Sequence, residues 1–531
     1  MTLADLLVPG SGDVKFHFVD EGLTLSYGAM WERAGAVAAW NMSRGSGPTA
    51  MVLSNTSACA TTLIGAIAAG MQLVSVPLPP RGGDLEWYAS FVQHLCTQSG
   101  AAALVVDRSL LPLLPPLNGV QYSSFEDILE WKGTGASNPD RFVLTQFTSG
   151  STADPKGVVL DEGKIRENVE AILTWLAPAP GDGSCSWLPL SHDMGLIGMF
   201  LTSIAGAGDG WARGGDIVLM TPEGFLRNPA GWLEACCSFG STITSAPNFG
   251  FEVSVLRRRA GLDLSRLRVC ITGAEPVRAE TLDRFASAFG PDGFDSRAFC
   301  PAYGLAELAL AVTVTEPSTH WHAVELDPRA LADRLIVSGS SGTRLVSSGH
   351  ALQGYDVKID EGEVGEILVR GPSLGDMYAD GQPVRDGDGW FHTRDLGFLD
   401  AGALYVVGRI DDVFQVAGRN IYAVDIEMHV SELGGIRQGR VVAVLDSTDA
   451  LTIVAECEPN VKDPLSVKGL ATTTRDLVAR RVGVAPRTVL LVERGTLPMT
   501  SSGKTQRGVV RDRLASGGLA IMAGSLGTVA S

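Results

Sequence analysis

The chain has 531 residues, 45% of them hydrophobic and 19% charged, a composition that excludes disorder as its main state and is ample to bury a large core. At about 150 residues per domain this corresponds to roughly three to four folding units. The formal charge of −17 excludes a broad nucleic-acid-coating surface, because neutralising a phosphate backbone needs a basic excess; a local basic site for a small phosphate ligand stays compatible with it.

Met1 to Gly10 contains Asp5 and no Lys or Arg, so no secretory leader is expected and the predicted location is cytoplasmic. "YGAMWERAGAVAAWNM" at 27–42 predicts a helix, "TAMVLS" at 49–54 a buried strand, and Thr61–Leu78 a buried helix running into a buried strand rather than a membrane span. Further strands are predicted at 102–107 and 267–273, with helices in "KIRENVEAILTWL", "NPAGWLEACCSFG" and "AETLDRFASAFG" between or beside them. Continuous apolar strands alternating with helices predict an α/β protein with parallel-rich sheets covered on both faces. The texture changes near 408–412, where strand-like pieces joined by Gly and Asp turns give way to a region with its own small α+β core. The expected division is a multi-subdomain N-terminal domain at 1–410, a small mobile C-terminal domain at 411–515 and a flexible tail at 516–531. The eight cysteines include no CxxC pair and mostly lie in apolar runs, which points to free thiols in a reducing compartment.

The sharpest local motif is "FTSGSTADPKGVVL" at 147–160. Thr148, Ser149, Gly150, Ser151 and Thr152 crowd hydroxyls onto a flexible backbone, and Lys156 and Gly157 follow; such a loop can form an anion-binding concavity. It is not a Walker A loop, because "GxxxxGK[ST]" is absent. The histidines form no HExxH, and "HWH" at 320–322 reads as surface loop. Downstream come "SWLPLSHDMGLIG" (186–198), "TSAPNFGF" (244–251), "ITGAEPV" (271–277), "PAYGLAELAL" (301–310), "GWFHTRDLG" (389–397), "YVVGRIDDVFQVAGRNIYAVDIE" (405–427) and "LPMTSSGKTQR" (497–507). In this order and spacing, over nearly the whole chain, these motifs resemble the adenylate-forming superfamily of acyl-CoA synthetases, peptide-synthetase adenylation domains and luciferases. The wording of "HDMGLIG", "APNF", "GAEPV" and "YGLAE" is most similar to the fatty acyl-AMP ligases. The segment at 322–354, before "VGEI", resembles the extra piece those ligases carry, which restrains the small domain and accompanies poor use of coenzyme A.

The resemblance implies an acid activated by Mg·ATP to an acyl-adenylate, then transferred to a phosphopantetheine thiol of an acyl carrier protein or of coenzyme A. It implies that Thr148–Gly157 holds the departing phosphates and that Glu307 binds Mg²⁺. Lys504 would bridge the carboxylate and the α-phosphate. Asp395 would take the ribose hydroxyls, with Arg409 on the same sugar or a phosphate. Gly273, Ala274, Glu275 and Pro276 would wall the adenine, Tyr303, beside Gly304, would stack on it, and His192 would stand between nucleotide and acyl tunnel. Asp411 matches the hinge. The stretches 196–220 and 245–256 could line an apolar channel for a fatty or bulky apolar acid. Two positions depart from the family: Arg394 where glycine usually precedes the ribose-binding aspartate, and Ala423 where proline is usual. Arg394 could lie against solvent, hinder ATP, or favour a preformed acyl-adenylate.

Overall fold

The apolar runs form the inner strands of two large sheets, and the helices between them cover both faces. The computed structural model describes residues 2–526 apart from 11–13, 46, 80–84, 134–140, 148–154, 208–214, 340–341, 417–418, 447–449, 483, 500–504 and 524. In the seven-stranded sheet, Val143–Phe147, Gln72–Val76, Thr49–Val52, Ala103–Val106 and Gln121–Ser124 run parallel. Gly157–Asp161 and the two-residue strand Met377–Tyr378 extend it antiparallel at one edge. The nine-stranded sheet has six parallel strands in the order Phe299–Gly304, Val269–Thr272, Ile243–Ser245, Ser184–Ser186, Ile217–Leu219 and Lys15–Phe18. The fold is therefore mixed α/β with large parallel-rich sheets.

The expected helices form with small shifts at their ends, as Tyr27–Arg44, Glu162–Leu176, Ala230–Ser238 and Ala279–Phe289. Asp161 caps the second of these by accepting from Gly163 and Lys164 amides. Thr61–Leu78 resolves into helix Ser57–Ala68 and strand Gln72–Val76. No helix among the described residues is long and apolar enough to cross a membrane.

Beyond the large sheets, Asp356–Asp360, Gly365–Arg370, Phe391–Asp400 and Ala403–Arg409 form an antiparallel sheet. The hairpin Ala323–Leu326 and Thr343–Val346 packs beside it. From Phe414 onward most buried side chains belong to separate cores around strands Ile436–Leu445, Leu451–Cys457 and Thr488–Val492 and helices Ala423–Ser431, Pro464–Arg481 and Arg507–Ala515. Part of the stretch expected to be a flexible tail lies against strand Thr488–Val492. Leu519 is buried, and the Met522 and Leu526 amides donate to the Leu491 and Val489 carbonyls. Leu519, Met522 and Leu526 supply apolar contacts within an otherwise small and polar stretch.

Candidate functional site

The site gathers at the C-terminal ends of the parallel strands, where doubly wound sheets expose ligand crevices. Strand Val269–Thr272 leads into Gly273, whose missing side chain is required: a Cβ there would lie 2.7 Å from the Ala302 carbonyl oxygen. Ala274 follows at φ 66°, a strained left-handed conformation for a residue with a side chain. Asn248 braces this turn, donating to Glu275 Oε1 (3.0 Å) and the Pro276 carbonyl (2.9 Å) and accepting from the Arg278 amide.

The neighbouring strand Phe299–Gly304 delivers Tyr303, whose hydroxyl donates to Asp395 Oδ2 at 2.7 Å. Gly304 is packed so tightly that a Cβ would lie 2.0 Å from the Leu310 carbonyl oxygen. Asp395 reaches Tyr303 through a bulge: residues 393–395 oppose the single residue Ile367 of the adjacent strand. Bulges of this kind re-aim side chains. Across the other edge Asp395 is in register with Arg409, whose Nε lies 3.3 Å from Asp395 Oδ1. Tyr303 thus links the residues expected at adenine and at ribose. Burial pushes its hydroxyl well above the usual tyrosine range, and the Asp395 charge adds to this.

Glu307 lies on the turn Ala306–Leu308, just past Tyr303, and Tyr378 donates to its Oε1 at 3.2 Å. Burial raises the Glu307 pKa; the Tyr378 bond and the Arg409 charge pull it down, and Asp193 pushes it up. Lys156 Nζ lies 5.1 Å from the centre of the Tyr378 ring. Tyr378 therefore ties the end of the 148–157 loop to Glu307. Sequence reasoning missed it, because only the edge pairing of Met377–Tyr378 with Gly157–Asp161 brings it there. Thr148, Ser149, Gly150, Ser151, Thr152 and Lys504 lie outside the described residues.

His192 precedes a π-helix, Met194–Leu201, a rare element often found at functional sites. Its Nδ1 lies 2.7 Å from Asp193 Oδ1. Gly195 lets the helix start against the preceding loop, since a Cβ would lie 2.2 Å from the Pro189 carbonyl oxygen. Asn55 holds that loop with bonds to the Leu188 and Met220 carbonyls and the Leu190 amide. Beyond the π-helix a cavity of about 30 Å³ is lined by Ile172, Leu173, Gly198, Thr202, Ile243 and Ile271, among others. The first stretch expected to line a channel contributes to it and residues 245–256 do not; Glu307, Tyr303 and Asp395 are also absent from its lining. Asp411 is paired with Arg394.

A parallel-rich α/β fold with carboxylates, cations and a strained Gly-Ala turn at its strand ends is an architecture that binds ligands in the crevice beyond those ends. The chain belongs to the AMP-binding enzyme family, whose model matches residues 11–379. It is similar to the Mycobacterium tuberculosis protein named "Putative ligase Rv1013", 34% identical and covering 82% of this chain and 84% of that protein. It is also similar to the medium-chain-fatty-acid–[acyl-carrier-protein] ligase JamA of Moorena producens, 31% identical over 86% of this chain and 84% of that one. A solved structure from a study of fatty acyl-adenylate ligases of E. coli and L. pneumophila is 28% identical. It superposes with a TM-score of 0.89 over 97% of this chain and 98% of that one.

Proposed function

We propose that this enzyme condenses a fatty or bulky apolar carboxylic acid with ATP and hands the acyl group to a phosphopantetheine thiol, on an acyl carrier protein or coenzyme A. The observation that carries the reading is the convergence of Glu307, Tyr378 and Lys156 with Tyr303, Asp395 and Arg409 at the strand ends. In the first step a carboxylate oxygen attacks the α-phosphorus, the bond from that phosphorus to the β-phosphate bridge breaks, and pyrophosphate leaves. In the second a thiolate attacks the acyl carbon, the acyl–phosphate bond breaks, and AMP leaves. Both steps bring anions together, so the site must offset repulsion and align the reacting oxygens.

Glu307 fits a divalent cation: its carboxylate is held by a neutral phenol and burial disfavours its charge, which a bound Mg²⁺ would offset. Mg²⁺ there would supply charge neutralisation for phosphate oxygens. Lys156 and the hydroxyls of Thr148, Ser149, Ser151 and Thr152 would hold the departing phosphates. Asp395 would accept from the ribose, oriented by Tyr303 and Arg409, and Gly273–Pro276 would wall the base. His192 would separate nucleotide from acyl chain, and Lys504 would bridge carboxylate and α-phosphate. Residues 411–515 would form a unit that swings between the two steps. The similarity to JamA supports a carrier protein as acceptor.

The test is acid-dependent pyrophosphate release from Mg·ATP across medium and long fatty acids, followed by transfer to a holo carrier protein and to coenzyme A. Release with one acid class and thioester formation are expected. Absence of release across the panel would overturn adenylation, and thioester formation from synthetic acyl-adenylate would then indicate a transfer-only enzyme.

A further inference from the structure

Two successive carboxylates at the junction before the C-terminal cores are held from opposite sides. The chain leaves strand Ala403–Arg409, makes the single turn Ile410–Asp412 and enters strand Val413–Val416. Asp411 accepts from Arg394 Nε (3.0 Å) and Nη2 (2.6 Å), and Arg394 belongs to strand Phe391–Asp400 of the antiparallel sheet. Asp412 pairs instead with Arg507, which starts helix Arg507–Ala515 and also donates to Glu427 Oε1 at 2.8 Å. The anchoring therefore changes sides between residues 411 and 412.

Arg394 is itself constrained. It has φ 60°, a region in which side-chain-bearing residues are strained, inside the bulge that aims Asp395 at Tyr303. Its amide donates to Glu366 Oε1 at 2.8 Å, and the other Glu366 oxygen takes His392 Nδ1 at 3.0 Å. Its guanidinium is thus committed to Asp411, while Asp395 engages Tyr303 and Arg409. The pair also registers electrostatically: the Arg394 bond holds the Asp411 carboxyl below the usual carboxylate range. These contacts commit the guanidinium to Asp411 rather than to Tyr303, Asp395 or Arg409.

We propose that Arg394 is a positioning residue for the junction: its two-pronged pair with Asp411 holds the sheet side of the turn while Arg507 and Glu427 hold the other, so a backbone rotation at 411 must break it. The pair thereby weights the relative rates of the two half-reactions. This rests on the proposed swing of residues 411–515. Arginine is suited to the task, because a planar fork matches a carboxylate where a lysine cannot.

The test compares wild type with Arg394→Gly, Arg394→Lys, Asp411→Asn and the double variant Arg394→Gly/Asp411→Asn. Glycine relieves the positive φ, so loss of folding is not expected to obscure the result. Amide hydrogen exchange across 408–416 is expected to quicken about two- to five-fold in Arg394→Gly and Asp411→Asn, the range for a half-exposed pair, with no further gain in the double variant and an intermediate value for lysine. The ratio of pyrophosphate release to acyl transfer from preformed acyl-adenylate should shift by a similar factor and in the same direction in both single variants. Unchanged exchange, effects that multiply in the double variant, or faster exchange with an unmoved ratio would overturn the proposal. Faster exchange in a chain whose wild type performs neither half-reaction would uphold the clasp and refute the functional reading.

Discussion

Glu307 shows how one side chain couples pH to the proposed chemistry. Burial raises its pKa, so its carboxylate becomes protonated at higher pH than an ordinary glutamate near 4.5, and the acid limb of adenylation should begin above that value. The Tyr378 bond favours the ionised form. Tyr378→Phe is therefore expected to move that limb to still higher pH, read as pyrophosphate release against pH at subsaturating Mg²⁺, where the proton competes with the cation for the carboxylate; a limb that moves down would contradict the assignment. Glu307→Gln retains an acceptor for Tyr378 but loses the charge, and a fall in release of about 10²-fold or more is expected, the scale for removing one group that stabilises transition-state charge. Asn248 works on the neighbouring turn through three bonds. Its alanine variant removes these three part-buried bonds, and a loss of about 1–3 kcal/mol in urea unfolding should accompany weaker ATP binding.

At the scale of elements, legibility followed the range of the interactions involved. Buried strands and amphipathic helices were readable because their patterns are local: 27–42, 49–54 and 267–273 all formed as expected. Gly195, Gly273 and Gly304 were readable as motif members, but their reason is steric and needs the carbonyls of Pro189, Ala302 and Leu310. Tyr378 was not readable, since a two-residue edge strand has no period and its partner lies more than 200 residues earlier. The commitment of Arg394 to Asp411 was equally hidden, because it depends on a bulge opposite Ile367. That bulge carries a pH-dependent support. His392 donates to Glu366 and Asp386, and the Glu366 bond raises its pKa. A raised folded pKa contributes stability that is fully present below the unfolded value near 6.5 and is lost as pH rises through the folded one. The thermal advantage of wild type over His392→Gln should accordingly be present at pH 5.5–6 and shrink toward pH 8; an advantage that grows with pH would show that the neutral ring, not the ion pair, supports the bulge.

Over the whole molecule, one apolar cluster spans the junction among the described residues. Tyr422, the residue before helix Ala423–Ser431, is 3% exposed and shares a cluster with Leu326 and Leu331 of the 322–354 stretch and with Leu396, Phe398, Tyr405 and Val407 of the antiparallel sheet. Its hydroxyl donates to the Leu331 carbonyl at 3.3 Å. Among the described residues, the 322–354 stretch thus meets the later ones at Tyr422, with Val413 packed against the same cluster. Removing a buried aromatic side chain costs about 3–5 kcal/mol, whereas losing one long hydrogen bond costs about 1 kcal/mol or less. Tyr422→Ala should thus release the C-terminal cores from the rest, and Tyr422→Phe should hardly do so. Calorimetry of the alanine variant is expected to show a separate, earlier transition, with protease nicking near 410–423 accelerated and the later transition in place. A single transition lowered as a whole would instead mean that Tyr422 belongs to one cooperative core shared by both sides of the junction, and the swing proposed for residues 411–515 would then have to break that core at every turnover.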